Sequence, residues 1–116
     1  MGKKACQIFQ TSENRLIAYV KRYNKKLEDK SVGIIFLGGF RSDMQGTKAC
    51  YLENWCVKNG YNFLKFDYSG HGQSSEHFES GCISDWKNDA CAVLDKLSEG
   101  PQILVGSSMG GWISLL

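Results

Sequence analysis

The sequence predicts an α/β domain with a mostly parallel sheet and crossover helices. Three observations predict it. Short apolar runs end on a glycine or an aspartate, amphipathic helical stretches separate them, and glycine-rich or serine-rich loops follow them directly.

Taken in order, a basic start leads into a possible short strand at Ile8 and Phe9 and a stronger one at Leu16-Ile17-Ala18-Tyr19-Val20. Residues 21–30 read as a charged turn region, with Tyr23-Asn24-Lys25-Lys26 and Glu28-Asp29 as solvated surface. Ile34-Ile35-Phe36-Leu37 is a continuous apolar run closed by Gly38-Gly39, the pattern of a strand buried on both faces of a parallel sheet. Thr47, Ala49, Leu52, Trp55 and Cys56 then recur at helical spacing, and Asn59-Gly60 supplies the stop.

Residues 61–66 form the next strand, ending on Asp67 and the loop Ser69-Gly70-His71-Gly72-Gln73-Ser74-Ser75. Ile83, Trp86, Ala90, Val93, Leu94 and Leu97 mark a second helix, terminated by Gly100-Pro101. Ile103-Leu104-Val105 is the third inner strand, and Gly111-Trp112-Ile113-Ser114-Leu115-Leu116 begins a buried helix. In such sheets chemistry gathers beyond the carboxyl ends of the strands, here the loops 38–45, 67–75 and 106–111.

Composition removes several function classes. At 116 residues the chain supports one domain at most, and its apolar runs fall far short of the roughly 20 residues of a membrane-spanning helix. A net charge of +2 is too balanced to imply binding to nucleic acid or a membrane surface. Five cysteines, an odd number without a CxxC pair, read as reduced thiols rather than a disulfide framework or zinc site. With only His71 and His77, and no ligands at zinc-like spacing, neither a metal nor an organic cofactor is expected. Gly70 and Gly72 lack the third glycine of a dinucleotide fingerprint.

The chemistry centres on Gly106-Ser107-Ser108-Met109-Gly110, a G-x-S-x-G sequence between a predicted strand and a predicted helix. With 13 glycines in the chain the bare spacing arises by chance about 0.15 times, so the strand-turn-helix context carries the assignment. In this turn the central residue holds a strained backbone that projects its side chain outward. Residues two positions away on either side must be small where strand and helix converge.

Ser108 is therefore the candidate nucleophile. A serine hydroxyl needs a base and donors for the developing oxyanion. The Met109 N–H, at the positive end of the following helix, is one candidate donor, and the Phe40 N–H in Leu37-Gly38-Gly39-Phe40 is the other. No base is assigned. His71 and His77 both precede the serine, whereas this arrangement normally runs Ser, then Asp or Glu, then His. Asp43, Asp67 and Asp85 remain open as acids without a base to orient, and Asp67 reads better as a loop-tying residue.

Leu37-Gly38-Gly39-Phe40, Asp67-Tyr68-Ser69-Gly70-His71-Gly72-Gln73-Ser74 and the Ser108 turn together resemble the N-terminal half of the α/β-hydrolase family. The oxyanion segment is similar to the family's His-Gly-Phe type loop with Gly38 where histidine is frequent, and the second loop to its D-x-x-G-x-G-x-S pattern. Residues 39–49, 66–70 and 100–112 are similar to the subgroup of palmitoyl-protein thioesterases and mycophenolic acid acyl-glucuronide esterases with their bacterial relatives. The resemblance runs from about Leu16 to the last residue.

It implies a serine hydrolase acting on a small-molecule acyl ester or thioester through an acyl-enzyme on Ser108. A peptidase or other amide hydrolase of the same fold and a non-catalytic remnant are the alternatives. It also implies a partial fold, truncated after the nucleophile elbow. Residues 1–116 are expected to be the N-terminal part of one domain, without the triad Asp and His and inactive without a complementing C-terminal half. The first residues carry no secretory pattern and no clear Arg-rich, Ser-rich presequence. The expected location is the cytoplasm, with the mitochondrial matrix as the alternative.

Overall fold

The computed structural model describes residues 6–23 and 32–116. Its elements are β1 (Gln7–Gln10), β2 (Leu16–Arg22), β3 (Gly33–Leu37), α1 (Thr47–Asn59), β4 (Asn62–Phe66), α2 (Ile83–Leu97), β5 (Gln102–Gly106) and α3 (Met109–Leu115), with a short 3-10 turn at Phe78–Ser80. The five strands form one sheet in the order β1-β2-β4-β3-β5.

β3, β4 and β5 are parallel, while β1 pairs antiparallel with β2 and β2 antiparallel with β4. The sheet is thus mixed, with its parallel part confined to the strands joined by helices. The β1–β2 connection is a tight turn, closed by Thr11 N–H to Arg15 O at 2.8 Å and Asn14 N–H to Thr11 O at 3.0 Å, so it reverses the chain.

Alternation explains the unbroken apolar run of β3. Ile35 and Leu37 face one side, packing with Leu64, Phe66, Trp86, Val93 and Ile113 beneath α2 and α3. Ile34 and Phe36 face the other, packing with Phe63, Ala49 and Cys56 beneath α1. Burying such a side chain fully is worth about 1.5–3 kcal/mol, so helices on both faces account for a strand with no polar position.

Several details depart from the sequence pattern. β5, expected as an inner strand, lies at the sheet edge among the described residues with Ile103 and Leu104 exposed, and the helix expected to be buried keeps only Gly110 and Ile113 buried, because no further strand covers that side among the described residues. Lys21 and Arg22 belong to β2 rather than to a turn, and residues 24–30 of the expected charged surface lie outside the described residues. Trp55 projects from α1 instead of filling the core, and its ring stacks on Tyr61 at 5.4 Å. Lys65, within apolar β4, is buried with its Nζ 2.7 Å from Glu53, which also receives Arg22 at 2.9 Å. One acidic residue on α1 thereby pairs with two cations on adjacent strands, giving the buried lysine the partner it requires.

Candidate active site

β3, β4 and β5 end side by side, so the loops that follow them meet at one edge of the sheet. In the turn after β5, Ser108 has φ 56° and ψ −117°, a sparsely populated conformation for a residue with a side chain. The turn is held by hydrogen bonds from Ser107 N–H to Leu37 O, from Gly110 N–H to Ser107 O and from Gly111 N–H to Ser108 O, each 3.0 Å.

The flanking glycines are sterically required. A Cβ on Gly110 would overlap the Leu37 carbonyl oxygen, and one on Gly106 would lie 2.5 Å from Gly110 C and Gly111 Cα. Ser108 is exposed, and α3 starts immediately after it. Among the described residues the Met109 N–H has no hydrogen-bond partner, nor has the Phe40 N–H.

The loop after β3 packs against this turn. A Cβ on Gly39 would sit 3.5 Å from Ser108 Cβ and 3.4 Å from Ser107 O, which places the Gly39-Phe40 backbone beside the serine. Gly39 to Ser42 is a β-turn, closed by Ser42 N–H to Gly39 O at 3.1 Å, with Arg41 at φ 60°. A cleft of about 220 Å³ opens next to it, lined by Phe36, Gly39, Asp43, Lys48 and Ser107 among others.

The loop after β4 ties this turn down. Tyr68 OH donates to Gly38 O at 3.2 Å, and Asp67 accepts Met44 N–H at 2.7 Å together with Gln73 N–H at 3.0 Å. Asp67 is therefore a bridge between loops as well as a brace for its own. Burial raises its carboxyl above the ordinary carboxylate range, while the Gln73 and Met44 N–H donors pull it back. Burial also raises the Tyr68 phenol, helped by the negative charge of Asp89. Asp89, completely buried on α2, accepts Ser69 N–H at 2.9 Å and pairs with Arg15 at 2.8 Å.

Of the two histidines, His71 is buried with both ring nitrogens bonded. Nδ1 lies 3.1 Å from Ser69 O, and Nε2 accepts the Arg41 N–H at 3.1 Å. His77 is exposed at the start of the 3-10 turn. Asp43 accepts Gln45 N–H at 2.8 Å within its own turn, and Asp85 lies in the first turn of α2, its carbonyl contacted by Arg15. The predicted Ser108, Met109 and Phe40 thus come together, whereas His71 and Asp67 brace the loops and His77, Asp43 and Asp85 take no part in the site. The signal for the bracing residues was the D-x-x-G-x-G-x-S spacing directly after a strand.

A strained, exposed serine between colliding glycines at the carboxyl edge of a sheet layered between helices defines the α/β-hydrolase class. The family model described as serine aminopeptidase, S33, matches residues 33–116, and the chain belongs to this α/β-hydrolase family. It is 48% identical over 91 residues to the mitochondrial palmitoyl-protein thioesterase ABHD10 of Homo sapiens, covering 78% of this chain and 30% of that protein. With the Mus musculus counterpart it shares 42% over 113 residues, 97% of this chain and 36% of that protein.

Among solved structures, mouse alpha/beta hydrolase domain-containing protein 10 superposes with a TM-score of 0.87 at 39% identity, covering 97% of this chain and 43% of that one. A putative hydrolase from Agrobacterium vitis S4 gives 0.85 at 43% identity, covering 97% and 44%. The chain spans about a third of the length of the curated relatives it matches.

Proposed function

We propose that the protein containing this chain is a serine hydrolase that cleaves carboxylic ester or thioester bonds through an acyl intermediate on Ser108. The observation that carries this reading is the Ser108 backbone, held at φ 56° with its side chain exposed beside Gly39 and at the start of α3. Ser108 Oγ attacks the acyl carbon, and its proton passes through a general base to the departing alcohol or thiol. Water then takes the acyl group by the same route in reverse. The Met109 and Phe40 N–H groups receive the negative charge on the carbonyl oxygen.

Neither ring nitrogen of His71 is free to serve as that base. The acid and the histidine belong in this reading to a complementing C-terminal part of the same domain, and residues 1–116 form its N-terminal part. Two observations support it. The outer edge of β5 is unpaired among the described residues, with Ile103, Leu104, Trp112 and Leu116 exposed around it. An apolar groove of about 140 Å³ opens there, lined by Leu94, Leu104, Ile113 and Leu116 among others.

A thioester is the favoured substrate, since curated proteins up to 48% identical to this chain are named palmitoyl-protein thioesterases. The same names favour a mitochondrial location over the cytoplasmic one expected from the sequence. Among the described residues no helix is long and apolar enough to cross a membrane. The family's description as a serine aminopeptidase supports peptides as the second substrate class.

The test is fluorophosphonate labelling of the whole protein, followed by assays on acyl thioesters, esters and aminoacyl peptides. Labelling that disappears in Ser108→Ala, with thioesters or esters turned over fastest, is the expected result. An intact, folded protein whose labelling persists in Ser108→Ala overturns the assignment, and preferential peptide cleavage replaces the ester reading. The isolated 116 residues are expected to remain unlabelled.

A further inference from the structure

The Gly39–Ser42 turn carries the Phe40 N–H, yet its conformation is not the one its sequence prefers. Arg41 sits at φ 60°, a region that side chains disfavour and that turns of this kind usually fill with glycine. Something outside the turn must hold it. The Arg41 N–H, part of the peptide unit that joins Phe40 to Arg41, donates to His71 Nε2 at 3.1 Å.

A backbone N–H can only donate, so Nε2 must be unprotonated and Nδ1 must carry the proton. The Nδ1 partner, Ser69 O at 3.1 Å, is an acceptor and fits that tautomer. The ring is clamped as well: Tyr68, Phe78 and Trp86 meet it edge-on at centroid distances of 5.6, 5.3 and 5.2 Å. Trp86 Nε1 also donates to Ser69 O at 3.1 Å, which fixes the acceptor that orients Nδ1. Above the same cluster, the Phe40 ring packs on Phe78 at 5.0 Å and the Arg41 guanidinium lies 4.4 Å over Phe78.

We infer that His71 is a positioning residue for the oxyanion site: as a neutral hydrogen-bond acceptor it locks the Phe40–Arg41 peptide and, by holding the whole Gly39–Ser42 turn at its unfavoured Arg41 conformation, keeps the preceding Gly39–Phe40 peptide placed so that the Phe40 N–H faces the oxygen of a substrate held by Ser108. This rests on the oxyanion role proposed above for Phe40. His71 itself touches neither substrate nor nucleophile in this arrangement. The essential property is an acceptor at the Nε2 position, not basicity, and a glutamine reaches that place with its amide oxygen.

The experiment compares His71→Gln and His71→Leu with the wild type in the whole protein. It reads acylation rate and KM on an activated ester, together with hydrogen exchange of the Phe40 and Arg41 amides. Leu is expected to lower kcat by about 10- to 100-fold, the scale of a misplaced catalytic donor, with KM within about threefold, while Gln stays within about fivefold of wild type. Arg41 exchange should accelerate at least about tenfold in the Leu variant and stay slow in the Gln variant.

Equal loss in both variants, wild-type kcat in the Leu variant, or unchanged Arg41 exchange overturns the inference. If the Leu variant does not fold, His71→Asn replaces it. The shorter amide does not reach Arg41, so the same pattern against Gln is expected. A wild type that never acylates Ser108 removes the hydrolase reading, whereas the exchange comparison still decides whether His71 locks the turn.

Discussion

Asp67 Oδ1 accepts the Met44 N–H at 2.7 Å, so the residue directly after β4 fixes the far end of the loop that follows β3. Both groups are buried. With Tyr68 holding Gly38 O at the near end and His71 holding Arg41 in the middle, the loop beside Ser108 is secured at three points by one neighbouring loop. In the proposed oxyanion role, amides held in place against a developing charge would need such support from elements other than their own.

Asp67→Asn is expected to destabilise the protein by about 1–3 kcal/mol, because one of two N–H donors then faces an amide nitrogen instead of an oxygen. Urea unfolding measures the loss. A stability equal to wild type would show that the bond lost on substitution adds nothing beyond solvent.

Ser108 stores strain that glycine would relieve. Ser108→Gly and Ser108→Ala are both expected to abolish covalent labelling, but Gly is expected to be more stable than Ala by about 1–3 kcal/mol, the range for a side chain in a sparsely populated conformation. Equal denaturation midpoints for the two would show that the turn is relaxed.

Gly110→Ala is predicted to cost about 3 kcal/mol, since its methyl group meets the Leu37 carbonyl and lies 2.7 Å from Gly38 O, neither of which moves without breaking the site. Gly100→Ala is the control: at φ 72°, with nothing within 4 Å of its added methyl, it loses only the conformational cost of about 1–2 kcal/mol. Denaturation midpoints of the pair separate collision from backbone preference.

Burial pushes the Cys56 thiol up to about 11 from its ordinary 9.0, so in the native state it should resist iodoacetamide while exposed Cys82 and Cys91 react. The sign of the linked stability follows from proton counting. Between pH 9.0 and about 11 the unfolded chain has lost this proton and the native one retains it, so stability is flat below the window and falls as pH rises through it. Cys56→Ala should remove that portion of the alkaline slope in pH-dependent melting. An unchanged slope would place its origin elsewhere.

The three parallel strands, both long helices and the Ser108 turn were determined by the sequence itself, because each is encoded within a few neighbouring residues. Apolar runs closed by glycine or aspartate, helical spacing, and glycines two positions either side of a serine are all local patterns. Only the tertiary structure decided how β1 and β2 join the sheet, why Lys65 and Glu53 are buried together, and what His71 does. A histidine between two glycines has the same sequence whether it faces solvent or accepts a hydrogen bond from the Arg41 N–H, 30 residues earlier. Likewise Arg15 and Asp89 meet across 74 residues. Such roles depend on which strands become neighbours, and that is set by the packing of the whole chain rather than by any stretch of it.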